Sequence, residues 1–348
     1  MPSRTLPWIV LTVGFALGAC ASSPEVEDGG GSNSDGNDED PKTFLDGDLK
    51  GELPELLSEF GLFADPRDRS AWHERAHLFV PEHPLWSNGS VKQRFVVVPP
   101  GKSIDSSAEV WEFPAGTLFF KTFSFQADDG ERPVETRVLR RTKEGYDFVT
   151  YLWNEAGSDA ELLDGTRPVD VTVEYEGVSF EHQVPSKLQC RTCHETHDPM
   201  VLGFEEIQLT ASLAGQTDSQ LELLHAAGVI SEVPSEPRRI VEDDPTSHAV
   251  LAYFQGNCVH CHDGGSGVNS AFDLRFEVAF ENTIDVDTTS ELLSGLRVSP
   301  GEPLESALYL ALTRDLDLAP QPMPPLGVQH RDDEAVVLFE SWIESLDP

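Results

Sequence analysis

Two five-residue patterns constrain this chain more than anything else in it. Cys190-Arg191-Thr192-Cys193-His194 and Cys258-Val259-His260-Cys261-His262 both read Cys-x-x-Cys-His. Of the five cysteines, only Cys20 falls outside them. A disulfide within either pair would close a loop too small to restrain much chain. At 348 residues the chain can also bury a core that needs no disulfide support. The cysteines point to a bound group.

The chemistry that uses this spacing is covalent attachment of c-type haem. Two thiols add to the vinyl groups along one porphyrin edge, and the adjacent histidine aims its imidazole at the iron from the proximal side. Cys190, Cys193 and His194 are expected to serve one haem c, and Cys258, Cys261 and His262 a second. Zinc is the competing ligand, because two Cys-x-x-Cys knuckles can make a four-thiolate site with His194 or His262 replacing a thiolate. Zinc has no need of a histidine directly after both knuckles, so haem is the expectation carried forward.

Apart from Met1 the chain holds two methionines, Met200 and Met323. Met323 lies among prolines, 61 residues beyond His262, with helical patterns before and after it. That order is similar to small monohaem cytochromes c, where a loop methionine closes the sixth position and raises the reduction potential. Met200 follows His194 by six residues, a reach of roughly 20 Å when fully extended. It would have to round the haem edge almost taut. For the first motif the sixth ligand stays open between Met200, a side chain from elsewhere such as His225, and none. His197 is closer still to His194.

Composition limits the partners. Acidic residues outnumber basic ones 61 to 24, for a formal charge of −37, which excludes nucleic acid by repulsion of its phosphates. Arg4, the apolar run from Trp8 to Gly18 and the small residues after it read as an export signal, too short to span a membrane comfortably. Leu17-Gly18-Ala19-Cys20 resembles the lipobox of bacterial lipoproteins. That resemblance implies a diacylated Cys20 as first mature residue, and a chain anchored by lipid on the periplasmic side or at the outer membrane.

The domain plan follows composition shifts. Residues 1–20 are the leader, and 21–42 a Gly, Ser and acid-rich disordered tether. Residues 43–83 are a short packing segment. Residues 84–185 hold short Val, Thr, Phe and Tyr runs punctuated by Gly, Pro and Asp, the pattern of a β-sandwich-like domain, with Trp111 and Trp153 in its core. From 186 the spacing turns helical. Residues 186–243 make a first haem-binding region and 244–348 a cytochrome c-like domain, capped at Asp244 or Thr246 and at Asp332. The predicted fold is multidomain α+β, a β-sandwich-like domain followed by an all-α dihaem module.

One further motif competes. His73, Glu74 and His77 satisfy H-E-x-x-H, and His83 falls where a metzincin protease places its third zinc ligand. Such a site needs both histidines on one helix face beside the glutamate base. Val80 stands where that family has its turn glycine, and no methionine follows for a Met-turn until Met200.

With both haem motifs placed, residues 84–346 resemble a group of bacterial exported dihaem c-type cytochromes with a β-rich N-terminal region. The likeness is carried by PLWSNGSVKQRFV, FPAGTLFFKTF, YLWNEAG, VPSKLQCRTCH, NCVHCH, PGEPLESALY and MPPLG. It implies thioether anchors at Cys190, Cys193, Cys258 and Cys261, proximal ligands at His194 and His262, and an axial ligand at Met323. Asn88 departs from the aspartate of the family phrase. The function expected is electron transfer with another redox protein, for which a basic cytochrome suits the charge. The alternative is a dihaem peroxidase or oxidase with an open sixth site at the first haem.

Overall fold

The β-branched and aromatic runs do form strands, because such side chains pack well on a pleated surface. The computed structural model describes residues 42–127, 130–196, 199–265, 272–289, 294–317, 319 and 321–347. The leader, Cys20, all but the last residue of the tether, and His197 lie outside the described residues. A small hairpin comes first, β1 (Phe63–Asp65) with β2 (Asp68–Trp72). Eight further strands build one antiparallel sheet: β3 (His77–Leu78), β4 (Val91–Val97), β5 (Leu118–Ala127), β6 (Gly130–Arg141), β7 (Tyr146–Trp153), β8 (Ala160–Leu162), β9 (Val169–Tyr175) and β10 (Val178–Val184). β5 is central. β6 takes one edge, β4 the other from Leu118 to Ser124, and β9 joins beyond it at Gln126.

The expected sandwich is not what forms. β5 carries apolar residues on both faces, so both need cover, but beyond the small β1–β2 hairpin no second sheet supplies it. Leu118 and Phe120 pack beneath Leu45, Leu57 and Phe60 of the N-terminal segment. Phe119 points the other way, into a core with Phe79, Phe148, Phe204 and Leu221. Those last two residues come from beyond position 186, so the cores cross the expected domain boundaries.

Nor does an all-α module follow. Among the described residues the α-helices are α1 (Lys187–His194), α2 (Gln220–Ala226), α3 (Pro245–Asn257), α4 (Ala307–Thr313) and α5 (Asp333–Ser345). The stretches between them are long and irregular. Gly264, Gly265, Pro300, Gly301 and Pro303 break the spacing that would extend a helix between α3 and α4. Three of the helices still share a core, in which Phe254 of α3 and Trp342 of α5 flank Phe339. None of the described helices is long and apolar enough to cross a membrane.

A chain of buried polar groups ties the sheet to the C-terminal region. Glu135 on β6 has no exposed surface. It accepts from the Arg137 guanidinium at 2.6 and 2.8 Å and from His182 Nε2 at 3.0 Å. His182 Nδ1 in turn accepts from Asn88 Nδ2 at 3.0 Å. Asn88 also donates to Gln329 Oε1, and its Oδ1 accepts from the backbone N–H groups of Gln329 and His330. Its φ of 57° is a left-handed conformation that asparagine tolerates well. An aspartate there would lose both donated bonds.

Burial pushes the Glu135 carboxyl upward, but Arg137 and His182 outweigh it and bring it from the ordinary 4.5 down to about 2. A carboxyl lowered on folding contributes fully above its unfolded value and loses that contribution as pH falls through the folded one. Urea titrations of the wild type should therefore lose stability between about pH 4.5 and 2. Glu135→Gln should flatten that slope and cost about 3–5 kcal/mol at neutral pH, as expected when a buried charge loses its partner.

Candidate functional site

The first motif closes α1. Ser186 caps that helix, with Gln189 reaching back to the Ser186 N–H at 3.0 Å. The helix follows β10 after a two-residue link and lies against β7, where Phe148 meets the His194 ring edge-on at 5.0 Å. His194 Nδ1 lies 2.7 Å from the Met200 carbonyl. An N–H donated there leaves Nε2 as the free ring acceptor, the tautomer a metal ligand needs. Burial, reinforced by the nearby cations Lys121 and Arg137, pushes the His194 imidazole down to about 3 against the pull of the Met200 carbonyl. The ring is neutral at any ordinary pH.

The second motif ends α3. Asp244 caps that helix by accepting from the Ser247 N–H at 2.7 Å, and Pro245 opens it. The turn carries on past Asn257, with the His262 N–H donating to the Cys258 carbonyl at 2.9 Å. The helix end is fastened to the segment before β4: Asn257 Oδ1 accepts from the Trp86 N–H at 2.7 Å. Gly256 allows backbone to lie directly on backbone there. His262 lies over Phe272 at 4.5 Å, and the Arg297 guanidinium covers that ring from 4.4 Å.

The Met323 loop is held from two sides. The Met323 N–H donates to the Ala311 carbonyl, and the Arg314 guanidinium donates to the carbonyls of Pro324 and Val328, both at 2.7 Å. On the far side the Trp86 indole donates to the His330 carbonyl at 2.9 Å.

Both motifs and Met323 line one cavity of about 1010 Å³ between the sheet and α3, α4 and the loop before α5. That lies at the top of the range for small-molecule sites, about 300–1,000 Å³. Its walls are largely aromatic and aliphatic, with Phe79, Phe119, Phe148 and Phe254 among them. Thr196 joins the motifs, its hydroxyl lying 2.9 Å from the Cys193 carbonyl and 3.0 Å from that of His260. All four thiols are free, and each faces the cavity. Burial pushes the Cys190 thiol up, and pushes Cys258 to about 12 with help from Cys261. Where Cys193 and Cys261 meet, the bond between the two thiols eases the first deprotonation, at Cys261, and opposes the second.

Met200 and His225 are not brought into this arrangement. Met200 gives its carbonyl to His194 but does not line the cavity, and His225 sits exposed on α2. The protease motif does not assemble either. His73 follows the end of β2 and contacts Asp46 at 3.3 Å, whereas His77 opens β3, so no helix face holds both. His83 is buried on the cavity wall.

Among the described residues, one trio of His, Cys, Asp or Glu side chains could share a metal ion: Cys193, His260 and Cys261, with ligand atoms within 4.8 Å of one another. Closed structural zinc sites take four protein ligands, so the trio is one short. Zinc there would also leave His194, His262 and Met323 without a role. The donor set is of the kind that haem attachment uses: paired free thiols, a neutral imidazole oriented through its Nδ1, and a largely apolar chamber. His260 went unnoticed in the sequence, as did the cavity residues Arg94, Lys121 and Arg137. Their signal was a charge inside a run that otherwise reads as core, as in LFFKTFSF.

No family model, curated protein or solved structure matches this chain.

A methyl group at position 256 would stand 2.7 Å from the His83 carbonyl oxygen and 2.9 Å from that of Pro84. Gly256→Ala should therefore force the second motif away from its support at a cost of about 1–3 kcal/mol, read as a lower urea midpoint.

Proposed function

We propose that the chain is an exported, lipid-anchored dihaem c-type cytochrome of the group it resembles, carrying electrons to or from another redox protein. The observation that carries this reading is the opening of both Cys-x-x-Cys-His motifs, with Met323, on one apolar cavity. When bound, haem supplies a one-electron iron centre whose potential its axial ligands and surroundings tune. The chain's own part is attachment, ligation and burial. The four free thiols would hold the haem as thioethers by net addition of S–H across its vinyl groups, which needs reduced cysteines and consumes no oxidant. His194, through its Nε2, and His262 would hold the iron. Met323, on a loop braced by Arg314, would supply a further ligand to one iron. Met200 acts through its carbonyl, which fixes the plane and tautomer of His194.

That role of Met200 favours a second reading as well. Met200 does not line the cavity, and a first haem left without a methionine ligand would make the protein a peroxidase- or oxidase-type enzyme. The acidic charge suits a basic partner, whose encounter rate should fall as ionic strength rises.

A pyridine haemochrome assay on protein made in a host with cytochrome c maturation should find two covalent haems per chain, and one after Cys258→Ala with Cys261→Ala. No covalent haem would overturn the proposal. Fully low-spin oxidised iron supports the carrier, and a high-spin fraction the enzyme. Met323→Ala should lower one potential and create high-spin iron, whereas Met200→Leu, which keeps the carbonyl, should change neither.

A further inference from the structure

The cavity inverts the charge of the protein around it. The chain carries 61 acidic and 24 basic residues. Yet among the described residues the cavity is lined by Arg94, Lys121, Arg137 and Arg297 against a single carboxylate, Glu205. Three of the four cations stand side by side on the sheet. Arg94 of β4 is directly opposite Lys121 of β5, and Lys121 is directly opposite Arg137 of β6. Opposed residues on one face hold their Cβ atoms roughly 4.5–5.5 Å apart, and like charges in such pairs destabilise the sheet.

Protein groups answer only part of this. Arg137 has its two bonds to Glu135 and lies over Phe123 at 4.2 Å. Lys121 touches the same ring at 4.8 Å. No carboxylate among the described residues lies within ion-pair distance of Arg94 or Lys121, although Arg94 is only 6% exposed. Burial among these neighbours presses the Lys121 ammonium well below its ordinary range, and burial brings Arg94 down to about 10. The fold has no need of a cation at 121, since the same face of β5 carries Phe119 and Phe123. A buried cation without a partner is costly, and an arriving anion would relieve that cost.

We propose that Arg94, Lys121 and Arg137 form a carboxylate-binding subsite on the sheet wall of the cavity. A guanidinium offers two parallel N–H donors to a carboxylate, and an ammonium adds a point charge beside it. Two sources share this chemistry: the propionate groups of haem, which rests on the function proposed above, and a soluble organic acid entering the cavity. Either gives the β-sheet a direct part in the site, as the wall that orients an anionic ligand against the first motif.

The test uses full-length protein matured with haem, its wild-type form against Lys121→Met, Arg94→Gln and Lys121→Arg. Covalent haem content, both reduction potentials and a succinate titration followed by absorbance are recorded. With propionates as the source, all forms keep two haems. Lys121→Met and Arg94→Gln each lower one potential, because a lost cation disfavours the more electron-rich reduced iron, while Lys121→Arg restores it and succinate has no effect. With a soluble acid as the source, succinate shifts the wild-type spectrum saturably and Lys121→Met abolishes the shift. If neither substitution moves a potential and succinate does not bind, the subsite is refuted. Absence of covalent haem would instead sink the function proposed above. Calorimetry with succinate on that same preparation would then decide: binding lost in Lys121→Met keeps the subsite, and no binding removes it.

Discussion

Glu135 is a carboxylate with no exposed surface, held between a guanidinium and an imidazole, and much else is organised around it. Burying an ion is expensive unless its hydrogen bonds are complete, and here the completion runs through four side chains. Arg137 faces the cavity, Glu135 neutralises it, His182 joins β10 to β6, and Asn88 passes the connection to the backbone at Gln329 and His330. The sheet, the approach to α1 and the loop that carries Met323 are thereby set relative to one another. A hydrophobic core alone would not do this, since apolar contacts tolerate sliding that hydrogen bonds of fixed direction do not.

The cavity is a consequence of how that sheet is covered. Its first face is sealed by the N-terminal segment with ordinary apolar packing. Its second face is sealed only partly, because β4, β5 and β6 present cations where core residues would otherwise continue. Helices α1 and α3 end beside that gap with their cysteines turned into it, and Thr196 fastens one motif to the other. The region that sequence composition sets apart as a β domain is one wall of the site.

Strands were legible because their signal is local. A run such as LFFKTFSF or YDFVTYLW declares itself through β-branched and aromatic content and flanking turns. What packs against it is not local, so the sandwich expected from the same runs is absent. The helical spacing after residue 186 was equally real at α3 and α5, but the Gly and Pro residues between them leave too little helix for an all-α module. HERAH shows the opposite failure: its letters match a helical motif, while a turn from His73 to Ala76 and the pairing of His77 with Val96 put its two histidines on different elements.

The sequence by itself determined the chemistry-bearing groups: two Cys-x-x-Cys-His motifs, a methionine between prolines, and an excess of acid over base. Covalent spacing carries such information, because three residues within five positions have a relation that no fold can greatly alter. Only the tertiary structure decided that both motifs open on one chamber, and that Met200 offers a carbonyl rather than a sulfur. It alone aligned Arg94, Lys121 and Arg137, which lie 27 and 16 residues apart along the chain. Register between strands is set by the packing of whole faces and by turns elsewhere, so that alignment has no signature in any short stretch of the chain.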